Sequence, residues 1–429
     1  MAVAGDKKRV LILGAGAAGV GAAMELKKAS AGMPGLEVTL MDQRNYHHPL
    51  PFIWQVVSGS VEPGYISFPL HALLRQKGGE GTVKFRQSRV QGIDVEKKVV
   101  STDVGELKWD YLVVALGSTT NFFGMADVEE NSLSFKSLSD AVNIHNHILD
   151  NYEAALLERN EKRRRELLTI VVVGGGPSGI ELAAAIQDFV RRALVRDYPS
   201  LTSQSRVLLV EARNALLSGL GANVSELAVK RLRSRGIEVL LNTRITKAWT
   251  GGIQTADGQT ISTSTVIWVA GVKPVDVVEA LPFEKAKDGR IVVNEHLEVP
   301  DSPGVYVLGD CAHLLQENGS VAYPPTQQVA TRQGPVCAGN IVRAIRGEQQ
   351  HSFRYRFKGQ VVYMGRNLVL AQLGNRVFDG LAAALLRRAY YLWIFISYFG
   401  LPTEFRRKLG AVCAWIPAYF YHRNTAHLE

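Results

Sequence analysis

Three carboxylates stand at the ends of apolar strands: Asp42 after Glu37–Met41, Glu211 after Arg206–Val210, and Asp310 closing Gly304–Asp310, GVYVLGD. Two of them follow glycine-rich turns. Arg9–Leu13 is a short apolar strand running into Gly14-Ala15-Gly16-Ala17-Ala18-Gly19, and a helix follows to about Ala29. Thr169–Glu181, TIVVVGGGPSGIE, repeats the device with Gly174, Gly176 and Gly179, and Pro177 and Ser178 open its helix. In a G-x-G-x-x-G turn the first glycine allows the tight bend, the second lets backbone approach a pyrophosphate, and the third lets helix pack on strand. The helix N-terminus adds free N–H groups and its positive dipole end. Such a turn also occurs as a plain strand–helix connection, but its use twice in one chain argues for two dinucleotides.

The spacing of the acids supports this. Asp42 lies 23 residues beyond Gly19, where a carboxylate accepts from both ribose hydroxyls of an adenosine. Glu211 lies 32 residues beyond Gly179, so Val190–Ser205 must lengthen that connection. A carboxylate at this place suits a free 2′-hydroxyl and repels a 2′-phosphate. Arg213, two residues later, tempers the preference, which still favours NADH over NADPH. Asp310 sits where it either accepts from a ribityl hydroxyl of a flavin or caps a helix before Ala312.

Further elements must position these groups. Leu107–Leu116 reads as a strand and runs through Ala115 into Gly117-Ser118-Thr119, a pattern suited to backbone that approaches a planar cofactor. Thr265–Val269 runs into Ala270-Gly271 in the same way. Glu238–Thr243, Lys247–Trp249 and Gly252–Thr255 read as a small meander. Asn45–Ser60, NYHHPLPFIWQVVSGS, reads as loop and helix packing on a cofactor. Asp140–Glu166 reads as helical, and its closing charge run, Glu161–Glu166, has mixed signs that indicate a solvated face rather than a nucleic-acid patch.

Composition sets outer bounds. At 429 residues, 46% apolar and 21% charged, the chain is an ordinary globular protein of two or three domains. A net charge of +9 favours an anionic partner, whether nucleotide, nucleic acid or lipid surface. Three cysteines, Cys311, Cys337 and Cys413, without a C-x-x-C pair argue against disulfide frameworks, a zinc site or a dithiol redox centre. No metal is expected. Lys7-Lys8-Arg9 before VLILGAGAAG resembles a leader only in length, so no signal or transit peptide is expected.

The last fifty residues change character. Ala389–Gly400, AYYLWIFISYFG, and Leu409–Tyr421, LGAVCAWIPAYFY, are apolar nearly all round and lie among Arg387-Arg388 and Arg406-Arg407-Lys408. Each is shorter than the roughly 20 residues a spanning helix needs. Short aromatic segments between basic clusters fit insertion into an anionic membrane face. A buried dimer interface or core helices would read the same way, and the readings can coexist.

Two dinucleotides facing one another are most economically a flavin and a nicotinamide. The whole chain resembles the type II NADH:quinone oxidoreductases of the two-dinucleotide-binding-domain flavoprotein superfamily. The resemblance lies in GAGAAG with Asp42, NYHHPLPFIWQVVSGS, GGGPSGIELA, Val210-Glu211-Ala212, Trp268–Val272, GDCA and PPTQQVATRQGPVCAGNI. It implies an α/β fold of two Rossmann-like domains of the glutathione-reductase-like kind, plus a C-terminal membrane-associating helical segment. Residues 1–120 and 290–350 would bind FAD, 165–285 inserted between them would bind NADH, and 351–429 would anchor the chain and help form a quinone site.

Other roles rest on that resemblance alone. Gln328 and Ala330 match the family's A-Q-x-A-x-x-Q motif beside the quinone ring, Gln327 stands where alanine is usual, and Arg332 falls where members carry a second glutamine or a basic residue. Glu181 is the acid of the family's G-G-G-x-[ST]-G-x-E run, suited to orienting the nicotinamide amide or steering protons, or simply to favouring the helix dipole. Lys358 resembles a lysine near the flavin. The expected cofactor-binding residues are thus Gly14 through Gly19, Asp42, Ala115, Gly117, Gly309 and Asp310 for FAD. For NADH they are Gly174, Gly176, Pro177, Ser178, Gly179, Glu211, Ala270 and Gly271.

The resemblance implies NADH-to-quinone electron transfer without proton pumping, by a peripheral protein on the cytoplasmic face of a bacterial plasma membrane. A homodimer is expected and nucleic acid is not. Alternatives are a sulfide:quinone oxidoreductase, which needs redox cysteines that the chain lacks before Cys311; a reductase with a protein acceptor; and a slow-turnover NADH-binding redox sensor.

Overall fold

The computed structural model describes residues 7–75, 83–317, 319, 321–357, 359–374, 376–397 and 424–428. Lys358, Arg406–Lys408 and Leu409–Tyr421 lie outside the described residues. Two compact units account for the chain.

The first unit comprises Met1–Pro49, Ser67–Thr119 and Lys273–Arg356. Its centre is a five-stranded sheet in the order Val305–Val307, Tyr111–Val114, Lys8–Leu13, Leu36–Asp42, Val83–Gln87. Every neighbouring pair is parallel. Strands covered on both faces need near-continuous apolar runs, and Val10–Leu13, Leu112–Val114 and Val305–Val307 are all buried. Helix Ala17–Ala29 links the first two strands in sequence. Helix Gln327–Arg346 lies against it so closely that a side chain on Gly334 would meet Ala18 O at 2.3 Å. That backbone-to-backbone approach is what Gly334 is for.

The second unit comprises Leu50–Ile66, Thr120–Val272 and Phe357–Glu429. Its sheet repeats the parallel plan in the order Leu133–Ser134, Thr265–Trp268, Thr169–Val173, Arg206–Val210, Ile237–Leu240. In both units the glycine-turn strand is central, with the acid-bearing strand beside it. The expected meander is corrected in detail. Ile237–Leu240 is the fifth parallel strand, buried at Ile237 and Val239, and the antiparallel meander is Ile245–Trp249, Gly252–Thr255 and Thr260–Ser262. The lengthened connection after Val190 is a π turn, Val190–Leu194, and two short helices, Val195–Asp197 and Pro199–Thr202.

The expected helix over 140–166 breaks in two. Leu138–Leu157 is closed at its start by a capping box between Ser137 and Asp140, and Glu161–Leu167 starts afresh with Asn160 as its cap. After Phe357 an antiparallel sheet, Gln360–Tyr363, Val369–Leu373 and Arg376–Asp379, leads into helix Gly380–Ser397. Residues 424–428 rejoin this unit: Asn424 N–H donates to Gly59 O at 3.1 Å, and Leu428 exchanges two hydrogen bonds with the Asn146 amide, both 2.8 Å.

Candidate functional site

The two glycine turns have the same internal geometry. In the first unit Gly14 has φ +97°, and a Cβ there would stand 2.3 Å from Ala115 O. A Cβ on Gly19 would lie 1.8 Å from Gly14 O, whereas one on Gly16 would meet nothing within 4 Å. In the second unit Gly174 has φ +122° with Ala270 Cα at 2.8 Å, Gly179 would clash with Gly174 O at 1.9 Å, and Gly176 is again open. The first and third glycines are therefore demanded by packing, and the middle one leaves bare backbone facing space. That open edge, next to a helix N-terminus, is what a pyrophosphate requires.

Each acid clasps its turn. Ala15 N–H donates to Asp42 Oδ2 at 2.7 Å and Arg44 N–H to Oδ1 at 2.8 Å. Gly175 N–H donates to Glu211 Oε2 at 2.6 Å and Arg213 N–H to Oε1 at 2.8 Å. Burial raises the Asp42 carboxyl, and these backbone donors oppose the rise. The Arg213 guanidinium reaches Ser218 Oγ at 2.9 Å. Pro177 occupies the first turn of helix Pro177–Phe189, where its missing N–H costs nothing.

Around the first turn, fully buried His47 donates from Nδ1 to Ala15 O at 2.7 Å, and burial pushes its imidazole down to about 4. His48 is held down to about 3 by burial and its cationic neighbours, and its Nε2 has no hydrogen-bond partner among the described residues. A buried nitrogen left in this state fits a site completed by a bound polar group. Ser118 Oγ donates to Asp310 Oδ2 at 2.5 Å, and Cys311 Sγ donates to Gly117 O at 3.1 Å. Burial pushes the Cys311 thiol up to about 12 and that of Cys337 well above its ordinary value. Neither forms a disulfide.

Helix Gln327–Arg346 is capped by Thr326, whose hydroxyl accepts from Val329 N–H at 3.4 Å. Gln328 Oε1 accepts the Tyr355 hydroxyl at 2.6 Å, and Ala330 is buried. The placement of the motif's last glutamine is corrected. Arg332 is exposed, while the next residue, Gln333, is 1% exposed and accepts Gly309 N–H at 2.7 Å. Gln333 follows Ala330 by three positions, so the helical repeat turns it inward and Arg332 outward. Counting three residues on from Ala330 would have found it.

In the second unit Glu181 accepts Tyr363 N–H at 3.1 Å. Burial pushes its carboxyl up to about 8, against the backbone bond and the Arg387 charge. The residue nonetheless keeps a partial opening to solvent. The Tyr363 ring stacks on Trp54 with centroids 4.4 Å apart, and the Arg387 guanidinium lies 4.6 Å from the Tyr363 centroid. A neutral carboxyl at physiological pH can donate as well as accept, the property a proton carrier needs. Tyr355, Tyr363, Trp54 and Arg387 were not identified from sequence. Trp54 lies in the Asn45–Ser60 stretch, and Arg387 in a basic pair expected to face a membrane rather than the Tyr363 ring.

Known proteins resemble the chain over nearly its whole length. Proteins named type II NADH:quinone oxidoreductase from Staphylococcus aureus and Staphylococcus epidermidis are each 29% identical over 410 residues, spanning 94% of this chain and 99% of theirs. Among solved structures, NDH2 from Plasmodium falciparum, determined in complex with NADH, superposes with a TM-score of 0.87 at 20% identity over 98% of this chain and all of that one. Sulfide:quinone oxidoreductase from Aquifex aeolicus gives a TM-score of 0.71 at 19% identity, over 94% and 95% of the two chains. Both share the fold. The family model for pyridine nucleotide-disulphide oxidoreductases matches residues 8–334, and the chain belongs to that family.

Proposed function

We propose that the chain is a type II NADH:quinone oxidoreductase, passing two electrons from NADH through FAD to a quinone: NADH + H+ + quinone gives NAD+ + quinol. The observation that carries this reading is the doubled turn, each held by its own carboxylate, which accepts one N–H from the turn and one from the residue two places after itself. One chain with two such cradles holds two dinucleotides, and the curated relatives, matched along nearly their whole length, carry the activity in their names.

FAD, when bound, supplies the hydride acceptor and two-electron store between nicotinamide and quinone. Residues 1–120 and 290–350 hold it, with the Gly14–Gly19 turn at its pyrophosphate, Asp42 at its ribose, and Ala115, Gly117, Gly309 and Asp310 along the rest. Residues 165–285 hold NADH. Gly174, Gly176, Pro177, Ser178 and Gly179 present the pyrophosphate turn, Glu211 takes the ribose hydroxyls, and Ala270 and Gly271 form the adjoining wall. The Glu211 carboxylate disfavours a 2′-phosphate. Glu181 holds a proton below about pH 8 and serves the reaction as acid. Gln328 and Ala330, with Tyr355 steadying the Gln328 amide, form the quinone-ring site, and Arg332 lies at its outer edge.

Attachment to the membrane is peripheral, through residues 351–429 on anionic lipid at the cytoplasmic face of a bacterial plasma membrane, with the chain as a homodimer. In support, no helix among the described residues is long and apolar enough to cross a membrane, and Leu385 and Leu386 are exposed beside Arg387 and Arg388. A sulfide-linked reaction is disfavoured because Cys311 and Cys337 are buried, protonated and separate.

The test is anaerobic addition of NADH to purified protein, followed by a quinone. Bleaching of the flavin absorbance and its return on quinone addition support the reading. A colourless protein, or reduced flavin that quinone leaves bleached, refutes it.

A further inference from the structure

Helix Pro177–Phe189 presents two carboxylates to one residue of a neighbouring strand. Glu181 and Asp188 are two turns apart and so share a face. Glu181 accepts the Tyr363 peptide N–H at 3.1 Å. Asp188 accepts the hydroxyl of the same tyrosine, and the Arg366 N–H at 3.1 Å. Tyr363 is thus held at both ends, and Trp54 stacks on its ring at 4.4 Å.

Asp188 is 0% exposed. A carboxylate in that position is costly unless paired and hydrogen-bonded. Here Arg235 and, at 3.6 Å, Arg192 supply the opposite charge. The electron-transfer reading gives this buried cluster no task. A plain role in packing the Gln360–Tyr363 strand on the helix needs only apolar contact, not a tyrosine hydroxyl aimed at an aspartate.

We propose that Asp188 and Tyr363 are positioning residues for Glu181: the Asp188–Tyr363 bond holds the tyrosine N–H on the Glu181 carboxyl and thereby governs when Glu181 gives up its proton. The N–H donor favours the ionised form, so any loosening of Tyr363 keeps Glu181 protonated to higher pH. The charged group acting on Glu181 is Arg387, from helix Gly380–Ser397, and the strand Gln360–Tyr363 presents the Tyr363 peptide N–H to it. Asp188, seven residues on along the same helix, is engaged by Arg235, Arg192, the Tyr363 hydroxyl and the Arg366 N–H. The use of this control in catalysis rests on the electron-transfer reading, whereas its existence rests on the geometry alone.

The test is an infrared titration of the flavin-loaded protein. It follows the protonated-carboxyl band that Glu181→Gln removes, alongside the pH profile of kcat/KM. Tyr363→Phe deletes the hydroxyl but leaves Asp188 paired with Arg235, Arg192 and the Arg366 N–H. Its Glu181 midpoint is expected to rise measurably, by up to about one pH unit, the worth of the whole N–H bond to a carboxylate. Arg192→Gln removes charge beside Asp188 without touching Tyr363 and is expected to leave the midpoint in place. An unmoved midpoint in Tyr363→Phe, or an equal shift in Arg192→Gln, overturns the proposal. If the unaltered protein reduces no quinone with NADH, the electron-transfer reading fails, and the infrared titration still decides the positioning.

Discussion

Replacing Glu181 with glutamine tests whether its carboxyl is held neutral. Burial moves this group from an ordinary 4.5 to about 8. The native state then keeps a proton that the unfolded chain releases, so the stability of the unaltered protein falls as pH rises through that window and is level on either side of it. A displacement of this size corresponds to roughly 5 kcal/mol at about 1.4 kcal/mol per pH unit. The partial opening of Glu181 to solvent reduces that to roughly 2–3 kcal/mol. Glutamine has the shape of the protonated acid and does not titrate. Urea unfolding of both proteins, at equal flavin loading, should give similar stability near pH 5. By pH 9 the variant should be the more stable by roughly 2–3 kcal/mol. Parallel pH curves would refute the reasoning, because they would mean that Glu181 ionises as freely in the fold as out of it.

Gly176→Ala should fold with a nearly unchanged melting temperature, since its Cβ meets nothing within 4 Å, yet raise the KM for NADH tenfold or more by filling the pyrophosphate edge. Gly179→Ala drives a methyl to within 1.9 Å of Gly174 O and should lower stability by about 2–3 kcal/mol in thermal unfolding. Tyr355→Phe removes the bond to Gln328 and should raise the quinone KM about three- to tenfold with flavin reduction by NADH unchanged, as stopped-flow separates. His47 is excluded from protonation down to about pH 4, so the native state binds fewer protons than the unfolded chain below about 6.5. Stability should therefore fall on acidification by roughly 3 kcal/mol, a slope that His47→Gln flattens in urea titrations at pH 4–7.

What sequence revealed and what it hid divide along physical lines. The cradles were legible because a glycine turn, its strand and its acid are local or regularly spaced, and steric demand leaves glycine at positions 14, 19, 174 and 179 as the residue that fits. The Glu181 environment was not legible, because Tyr363 and Arg387 arrive from far along the chain: nothing local marks Tyr363, and the pattern around Arg387 pointed to a membrane surface rather than to Glu181. Gln333 was passed over beside Arg332, and one residue on a helix is the difference between solvent and core. Ile237–Leu240 was read into a meander because a short buried strand carries no sign of which neighbour it will pair with. Asn160 and the break after Leu157 were hidden inside a run whose composition suits helix throughout.

The clasp made by Glu211 ties two properties together that a protein engineer would want apart. Its two oxygens already serve the Gly175 and Arg213 amides, so the same side chain that recognises the ribose also fastens the turn. Exchanging it for a neutral or basic residue to admit a phosphorylated nucleotide strips the buried Gly175 N–H and the exposed Arg213 N–H of their acceptor at once. Cofactor preference in this chain therefore cannot drift by a single substitution without loosening the loop that reads the cofactor. A successful switch must bring a replacement acceptor for the turn together with the new charge.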